Sequence, residues 1–313
     1  MMTAETCGCS LRPLELDGSI YCGLGFSCDN DCILCVANNG EKHENMSTSA
    51  MISYFDRIIE NKNLTIQISG GEPTVRNDFL YLMEYLSVRA PRITKVLLSN
   101  GRRFSNMDFT AKVAVYPPVC VLVPIHSCEP NLHDTITRRV GSFNETVLGI
   151  RNMLEYKITV VPKIIVNKLN YKLLPEFVEF VAQTFPECGA VGIDTMDLLG
   201  AAGVNKEVLK IRHTDSAPYI EKAIDVAVKY GLHVSVIYMP FCLVEEKYRK
   251  FISPDQSIVM YKDPRDERVK GNLTKERGNV DACGKCKYVG ECPGTWYSYF
   301  REFGYDELKP IYD

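Results

Sequence analysis

Short apolar runs alternating with amphipathic stretches predict an α/β protein built from parallel βαβ units. Six apolar or β-branched runs recur, at Ser19–Phe26, Leu64–Ser69, Lys95–Ser99, Val119–His126, Thr159–Asn167 and Ala190–Asp194. Stretches with apolar residues at helical spacing separate them. The residues with the most distinctive chemistry fall just past the ends of these runs, where a barrel builds its site. A closed eight-stranded barrel usually needs about 250 residues, and the alternating region is nearer two hundred. The expectation is therefore an open, partial (β/α)6 TIM-like barrel over residues 19–232. Residues 1–18 form an N-terminal extension, and a small cysteine-bearing C-terminal unit occupies 233–313.

The first run ends at Cys28, Cys32 and Cys35, spaced CxxxCxxC. Ser49–Glu60 then sets Met51, Ile52, Phe55, Ile58 and Ile59 at helical spacing. Leu64–Ser69 leads into Gly70-Gly71-Glu72-Pro73, and Phe79–Val88 is the next helix. Lys95–Ser99 closes on Ser99-Asn100-Gly101, and Val119–His126 on Ser127 and Cys128. Asn144–Tyr156 reads as a helix with Ser142 or Asn144 as its cap. Thr159–Asn167 carries Lys163 and Asn167, and Pro175 suits the first turn of Pro175–Phe185. Ala190–Asp194 and the helix Pro218–Tyr230 complete the alternation. Beyond Gly231 a β run, His233–Met239, leads to Pro240-Phe241-Cys242. A charged, turn-rich segment then reaches Cys283, Cys286 and Cys292. Its densest part, Asp263–Arg277, mixes both signs and reads as a solvated face or hairpin.

An apolar fraction of 46% with 24% charged residues is ordinary for a globular protein. A net charge of −3 offers no general attraction to nucleic acid or an anionic membrane. The N-terminus lacks the apolar core of a signal peptide. The longest apolar stretch, around Val113 to Ile125, is broken by Pro117, Pro118 and Pro124 and is too short to span a bilayer. A cytoplasmic location is expected. Thiols are kept reduced there, so metal ligation is the economical explanation for most of the 13 cysteines.

Three thiolates are one fewer than a cubane iron–sulfur cluster normally takes, which leaves an iron open. An open position separates a reactive metal site from a closed structural one. Taken alone, the array also fits a zinc site or chance spacing. Gly70–Pro73 alone fits a turn. The two together resemble the radical S-adenosylmethionine (SAM) superfamily. The resemblance implies that Cys28, Cys32 and Cys35 hold a [4Fe–4S] cluster whose open iron binds SAM. It further implies that Gly70, Gly71, Glu72 and Pro73 form the cofactor loop, with Glu72 facing the methionine ammonium. Gly70 and Gly71 would let backbone approach the ligand. The family usually has an aromatic residue before the third cysteine. Here it is Leu34, whose backbone would meet the adenine. Ser99 and Asn100 resemble the third-strand motif that contacts SAM, although a plain turn explains them equally well. Ser127 falls where relatives contact the ribose, and Lys163 and Asn167 would face the pocket.

Cys283, Cys286 and Cys292, with Cys242 ahead of them, could close a zinc site or a fully ligated cubane, and spacing alone does not choose. The CxxCxxxxxC pattern before Pro293-Gly294 resembles the SPASM domain, or its shortened twitch form. That implies one auxiliary [4Fe–4S] cluster held by Cys242, Cys283, Cys286 and Cys292, making two in all. Cys22 and Cys120 read as small buried hydrophobes. Cys188 gives no signal, and Cys7 and Cys9 read as incidental thiols. Cys128, on the expected rim, is a candidate hydrogen-atom donor, with an incidental rim cysteine the plainer alternative. A third stretch, Pro124 to Ile150, resembles SPASM-type proteins through Ser127, His133, Asp134, Arg138, Gly141, Ser142 and Phe143. Asp134 and Ser142 are also good caps, and His133 can serve simply as a brace. The order of motifs resembles the maturases of His-Xaa-Ser peptides and their relatives.

The resemblance implies reductive cleavage of SAM to a 5′-deoxyadenosyl radical, which abstracts a hydrogen from substrate. The leading expectation is a ribosomally made peptide, modified by crosslinking, thioether formation or epimerisation. Such maturases often begin with a leader-binding domain of roughly eighty residues, yet only 27 residues precede Cys28. Peptide recognition is therefore expected from a separate leader-binding protein or from the barrel. A one-electron donor such as flavodoxin or ferredoxin is implied. The alternative within enzymes is oxidation or rearrangement of a small molecule, such as an amino sugar or alcohol. From another class comes a non-enzymatic iron–sulfur electron carrier, which predicts no SAM turnover.

Overall fold

A computed structural model describes residues 19–38, 45–60, 65–253, 258–261, 270–272 and 277–312. Cys7, Cys9, the N-terminal extension and most of the charged Asp263–Arg277 stretch lie outside the described residues. In chain order the elements begin with β1 (Ser19–Gly23), α1 (Thr48–Glu60), β2 (Thr65–Ser69) and α2 (Phe79–Arg89). There follow β3 (Thr94–Leu98), α3 (Met107–Val113), β4 (Cys120–Pro124), α4 (Pro130–Thr137) and α5 (Ser142–Glu155). Next come β5 (Val160–Val166), α6 (Leu174–Thr184), β6 (Ala190–Thr195), the short α7 (Gly200–Val204) and α8 (Lys206–Leu209), α9 (His213–Lys229) and β7 (His233–Ile237). The chain finishes with β8 (Ile258–Tyr261), β9 (Lys270–Asn272), β10 (Arg277–Gly278), β11 (Thr295–Trp296) and α10 (Tyr297–Phe303).

Strands β1 to β7 lie side by side in chain order and all run parallel. Each pair is linked by at least one helix, as parallel neighbours require. This is the expected α/β partial barrel, whose six strands are continued by β7 at one edge and β8 at the other. His233–Ile237, expected to open the C-terminal unit, instead extends the sheet beside β6, with Ala190 opposite His233. The helix α9 supplies its crossover. On the other side β8 pairs parallel with β1, and β9 returns antiparallel outside it.

Alternation sorts the strand residues. Val121 and Val123 of β4, Val160, Ile164 and Val166 of β5, and Val191 and Ile193 of β6 join the main buried cluster with the helices. Their neighbours on the opposite face, including Lys163, Ile165 and Asp194, line the inner side. A smaller buried cluster joins Ile33 and Leu34 to Ile136, Met196, Ala202 and Leu209, with Ile165 packed on it. Cys22, Cys120 and Cys188 are buried.

Two helix starts depart from expectation. Neither Ser142 nor Asn144 caps α5. Gly141 stands at the cap, and Asp134 accepts hydrogen bonds from Gly141 N (2.6 Å) and Phe143 N (2.9 Å). Helix α9 begins at His213, five residues before Pro218, because its free amides are satisfied from far along the chain. His213 N donates to Tyr299 Oη (2.8 Å) and Thr214 N to Glu307 Oε1 (3.1 Å). Among the described residues no helix is long and apolar enough to cross a membrane.

Candidate active site

The three cysteines sit on the loop leaving the C-terminal end of β1. That loop is pinned at several points. Asp31 N and Ile33 N donate to the carbonyls of Thr137 (3.0 Å) and Ile136 (2.9 Å) at the end of α4. Ala201 N donates to Cys35 O (2.9 Å). Gly200, at φ +55°, lies so close that a Cβ there would stand 2.5–2.9 Å from the carbonyl oxygens of Val36, Cys35 and Asn38. Cys28 is exposed as a residue, yet enough chain surrounds its sulfur that desolvation, aided by Glu72 and Asp29, pushes the thiol up to about 12. Burial and the neighbouring Cys35 and Cys28 push Cys32 up to about 12 as well. Such a trio ionises when a cationic centre compensates it, and soft thiolates are the donors that suit iron–sulfur chemistry. The donor set therefore fits a cluster.

Gly70 and Gly71 pack closely against the cysteine loop. A Cβ on Gly70 (φ +123°) would lie 2.4 Å from Gly25 O, and one on Gly71 2.3 Å from Ser27 O. The close approach is to the cysteine loop's own backbone. Gly71 N donates to Gly25 O and Glu72 N to Ser27 O, both at 2.8 Å. Pro73 then opens a 3-10 turn, Pro73–Val75.

Glu72 is buried. Its Oε1 accepts from Thr74 N (3.0 Å), Thr74 Oγ1 (2.5 Å) and Ser99 Oγ (2.8 Å), and its Oε2 from Asn100 N (2.7 Å). Burial pushes its carboxyl up, and these four donors oppose the shift. Asn100 in turn donates from Nδ2 to Asp29 Oδ1 (2.7 Å), between Cys28 and Cys32. The loops after β1, β2 and β3 thus meet in one hydrogen-bonded network.

Sequence reasoning missed two arginines in this network. Arg102 is buried; its Nε donates to Glu145 Oε2 on α5 (2.6 Å), and its Nη1 to Asp29 O (2.6 Å) and Asn30 Oδ1 (2.8 Å). Arg76 donates from Nη1 to Leu24 O (2.7 Å) and Met46 O (3.0 Å) while pairing with Asp78. Their position after a motif was the only signal available.

The weaker sequence candidates scatter in role. Leu34 packs its side chain into the smaller buried cluster. Ser127 is fully buried and its Oγ accepts from Glu129 N (2.9 Å), a local turn. Lys163 is ion-paired with Asp194 on the inner face. Asn167 is turned into its own loop, donating from Nδ2 to Ile165 O (3.0 Å). His133 acts as the expected brace, its Nδ1 accepting from His126 N (3.1 Å). Cys128 is half-buried near the rim, and burial raises its thiol.

The second cysteine group lines a separate pocket, where Cys242, Cys283, Cys286 and Cys292 stand together with Phe241, Tyr288 and Ile311. Phe241 N donates to Cys292 Sγ and Ile311 N to Cys286 Sγ, both at 3.4 Å. Burial pushes the Cys242 thiol up to about 11. Among the described residues no three His, Cys, Asp or Glu side chains are gathered as a metal ion would require.

A family model described as the radical SAM superfamily matches residues 24–181, just over half of the chain. The mycofactocin maturase MftC of Mycolicibacterium smegmatis is 26% identical over 162 residues, covering 51% of this chain and 40% of that protein. A probable GTP 3′,8-cyclase of Saccharolobus islandicus is 21% identical over 250 residues, covering 78% of this chain and 77% of that protein. Among solved structures, Streptococcus suis SuiB bound to its precursor peptide SuiA superposes with a TM-score of 0.67 at 13% identity. That match covers 95% of this chain and 75% of SuiB, and it shows the fold alone. The chain spans about two fifths of the maturase it matches.

Proposed function

Given that the chain belongs to the radical SAM superfamily, we propose that it modifies a ribosomally made peptide by hydrogen abstraction. The observation that carries the radical chemistry is the convergence of the cysteine, Gly70–Pro73 and Ser99–Asn100 loops on Glu72 and Asn100. A [4Fe–4S] cluster on Cys28, Cys32 and Cys35, together with SAM, supplies a 5′-deoxyadenosyl radical when bound. The chain's own residues position and enclose that chemistry. Glu72 fixes Ser99 and Asn100, and the amides and side chains at the strand ends orient the cofactor. The peptide reading is supported by similarity to a maturase and by the fold shared with SuiB. The likeness to a GTP 3′,8-cyclase over most of the chain favours a second reading, in which the substrate is a small molecule.

The proposal includes an auxiliary [4Fe–4S] cluster on Cys242, Cys283, Cys286 and Cys292, a flavodoxin- or ferredoxin-like donor, and a cytoplasmic location. The thiol-lined pocket supports the second cluster. Anaerobic reconstitution followed by dithionite and SAM should yield 5′-deoxyadenosine. An intact cluster that forms none sinks the enzyme reading. Iron analysis should give about eight irons per chain for two cubanes and about four for one. Deuterated candidate peptides and small molecules, scored by label appearing in 5′-deoxyadenosine, separate the two substrate readings.

A further inference from the structure

Arg102 carries a buried cation beside the loop that bears Cys28. Only 7% of its side chain is exposed, against 29% for Asp29 and 46% for Glu145. The guanidinium is shielded from water while its two carboxylate partners remain partly solvated. Arginine stays charged at any working pH, so the site holds a fixed positive charge. Its Nη1 holds the Asp29 carbonyl (2.6 Å), the Asn30 side chain (2.8 Å) and Asp29 Oδ2 (3.1 Å). Asn30 N in turn donates to Cys28 Sγ at 3.4 Å. Glu145 anchors the other edge of the fork to α5, and Arg102 N donates to Asn100 Oδ1 (3.0 Å). One side chain thus fixes the segment whose amide reaches the Cys28 sulfur.

Hydrogen bonds to sulfur, net charge and solvent exposure set the potential of an iron–sulfur cluster. We infer that Arg102 is a positioning residue that raises the reduction potential of the cluster held by Cys28, Cys32 and Cys35. The inference rests on the radical SAM reading of that loop. Reduction adds one electron from the external reductant to the cluster and breaks no bond, so a fixed nearby cation favours the reduced form. Loss of Arg102 removes that charge and leaves Asp29 and Glu145 uncompensated.

The test is a dithionite-poised redox titration of the reconstituted full chain, following the electron paramagnetic resonance signal that shifts on adding SAM. Arg102→Gln should lower the ratio of reduced to oxidised cluster at least tenfold at fixed potential, a shift of about 59 mV for one electron. Arg102→Lys, which keeps the charge, should stay within threefold of the unaltered chain. Asp29→Asn removes a negative charge and should raise the ratio two- to fivefold. It also provides the reading if Arg102→Gln fails to fold or to hold iron. Arg138→Gln is the control, since its pair with Asp31 on the same loop is exposed on both sides, 50% and 61%. It should change the ratio less than twofold. A purely structural role would not move the potential in opposite directions for Arg102→Gln and Asp29→Asn. Equal signs, or no shift with full iron content, overturn the inference alone. A chain that binds no reducible cluster overturns the radical SAM reading as well.

Discussion

Glu72 accepts four hydrogen bonds from three residues on two loops, and its removal would strand all four donors in a buried place. A buried donor left unsatisfied costs about 1–3 kcal/mol. Glu72→Leu should therefore lower the stability by at least about 2 kcal/mol in urea titration and abolish SAM binding measured by equilibrium dialysis. Unchanged stability would mean that the network is ornamental. The buried histidines make a second prediction. Desolvation lowers His126 to about 3, and His133 and His213 to about 4, so all three are neutral in the folded chain at pH 7. The unfolded chain takes up their protons from about pH 6.5 downward. Stability from these groups is complete above pH 6.5 and is lost as pH falls toward about 4. Each adds a slope of up to about 1.4 kcal/mol per pH unit. The difference between the unaltered chain and His213→Gln, measured by urea titration at pH 7, 6 and 5, should show one such increment; a flat difference contradicts it.

Among the elements, α5 and α7 show how secondary structure is made to serve a loop. Asp134 caps α5, and the amides of Phe143 and Gly141 hold its carboxyl below the usual range against the pull of burial. Asp134→Ala should cost about 1–2 kcal/mol in thermal or urea unfolding, as lost caps do. Glycine at the start of α7 allows that helix to rest on the carbonyls of Cys35 and Val36. Gly200→Ala should displace the cysteine loop and reduce iron retained after gel filtration at least twofold, with far-ultraviolet circular dichroism unchanged. The periodic elements were legible because packing in a two-faced sheet imposes alternation on the residues themselves. Pro175 at the start of α6 was legible for a similar reason, its fixed φ and absent N–H suiting only the first turn. The start of α9 was not, since Tyr299 and Glu307 satisfy its amides from more than eighty residues away. The helices α3 and α4, of seven and eight residues, are too short to display a period. At the site, the three cysteines and Gly70–Pro73 could be picked out by spacing. Arg102 and Arg76 could not, because their partners are backbone carbonyls that any sequence supplies and side chains as distant as Glu145, 43 residues along the chain.

At the scale of the whole molecule, the C-terminal segment ties the barrel to the second thiol group. Glu307 accepts from Thr214 at the head of α9, while Ile311 N, four residues on, reaches Cys286 Sγ. Glu307→Ala should loosen this tie, accelerating cleavage within residues 304–312 by a broad-specificity protease severalfold. Iron at the first cysteine trio should be unaffected. Equal cleavage rates would show that the segment is held by other contacts. Parallel order in β1–β7 has one more consequence. Every strand points its C-terminal end toward the cysteine loop, so every return connection turns at the far end. Residues 90–93, ahead of β3, and 157–159, ahead of β5, belong to that far end. Those two turns are the natural places to attach a fluorophore, an affinity handle or a surface tether, since a cargo there sits a full strand length away from the chemistry.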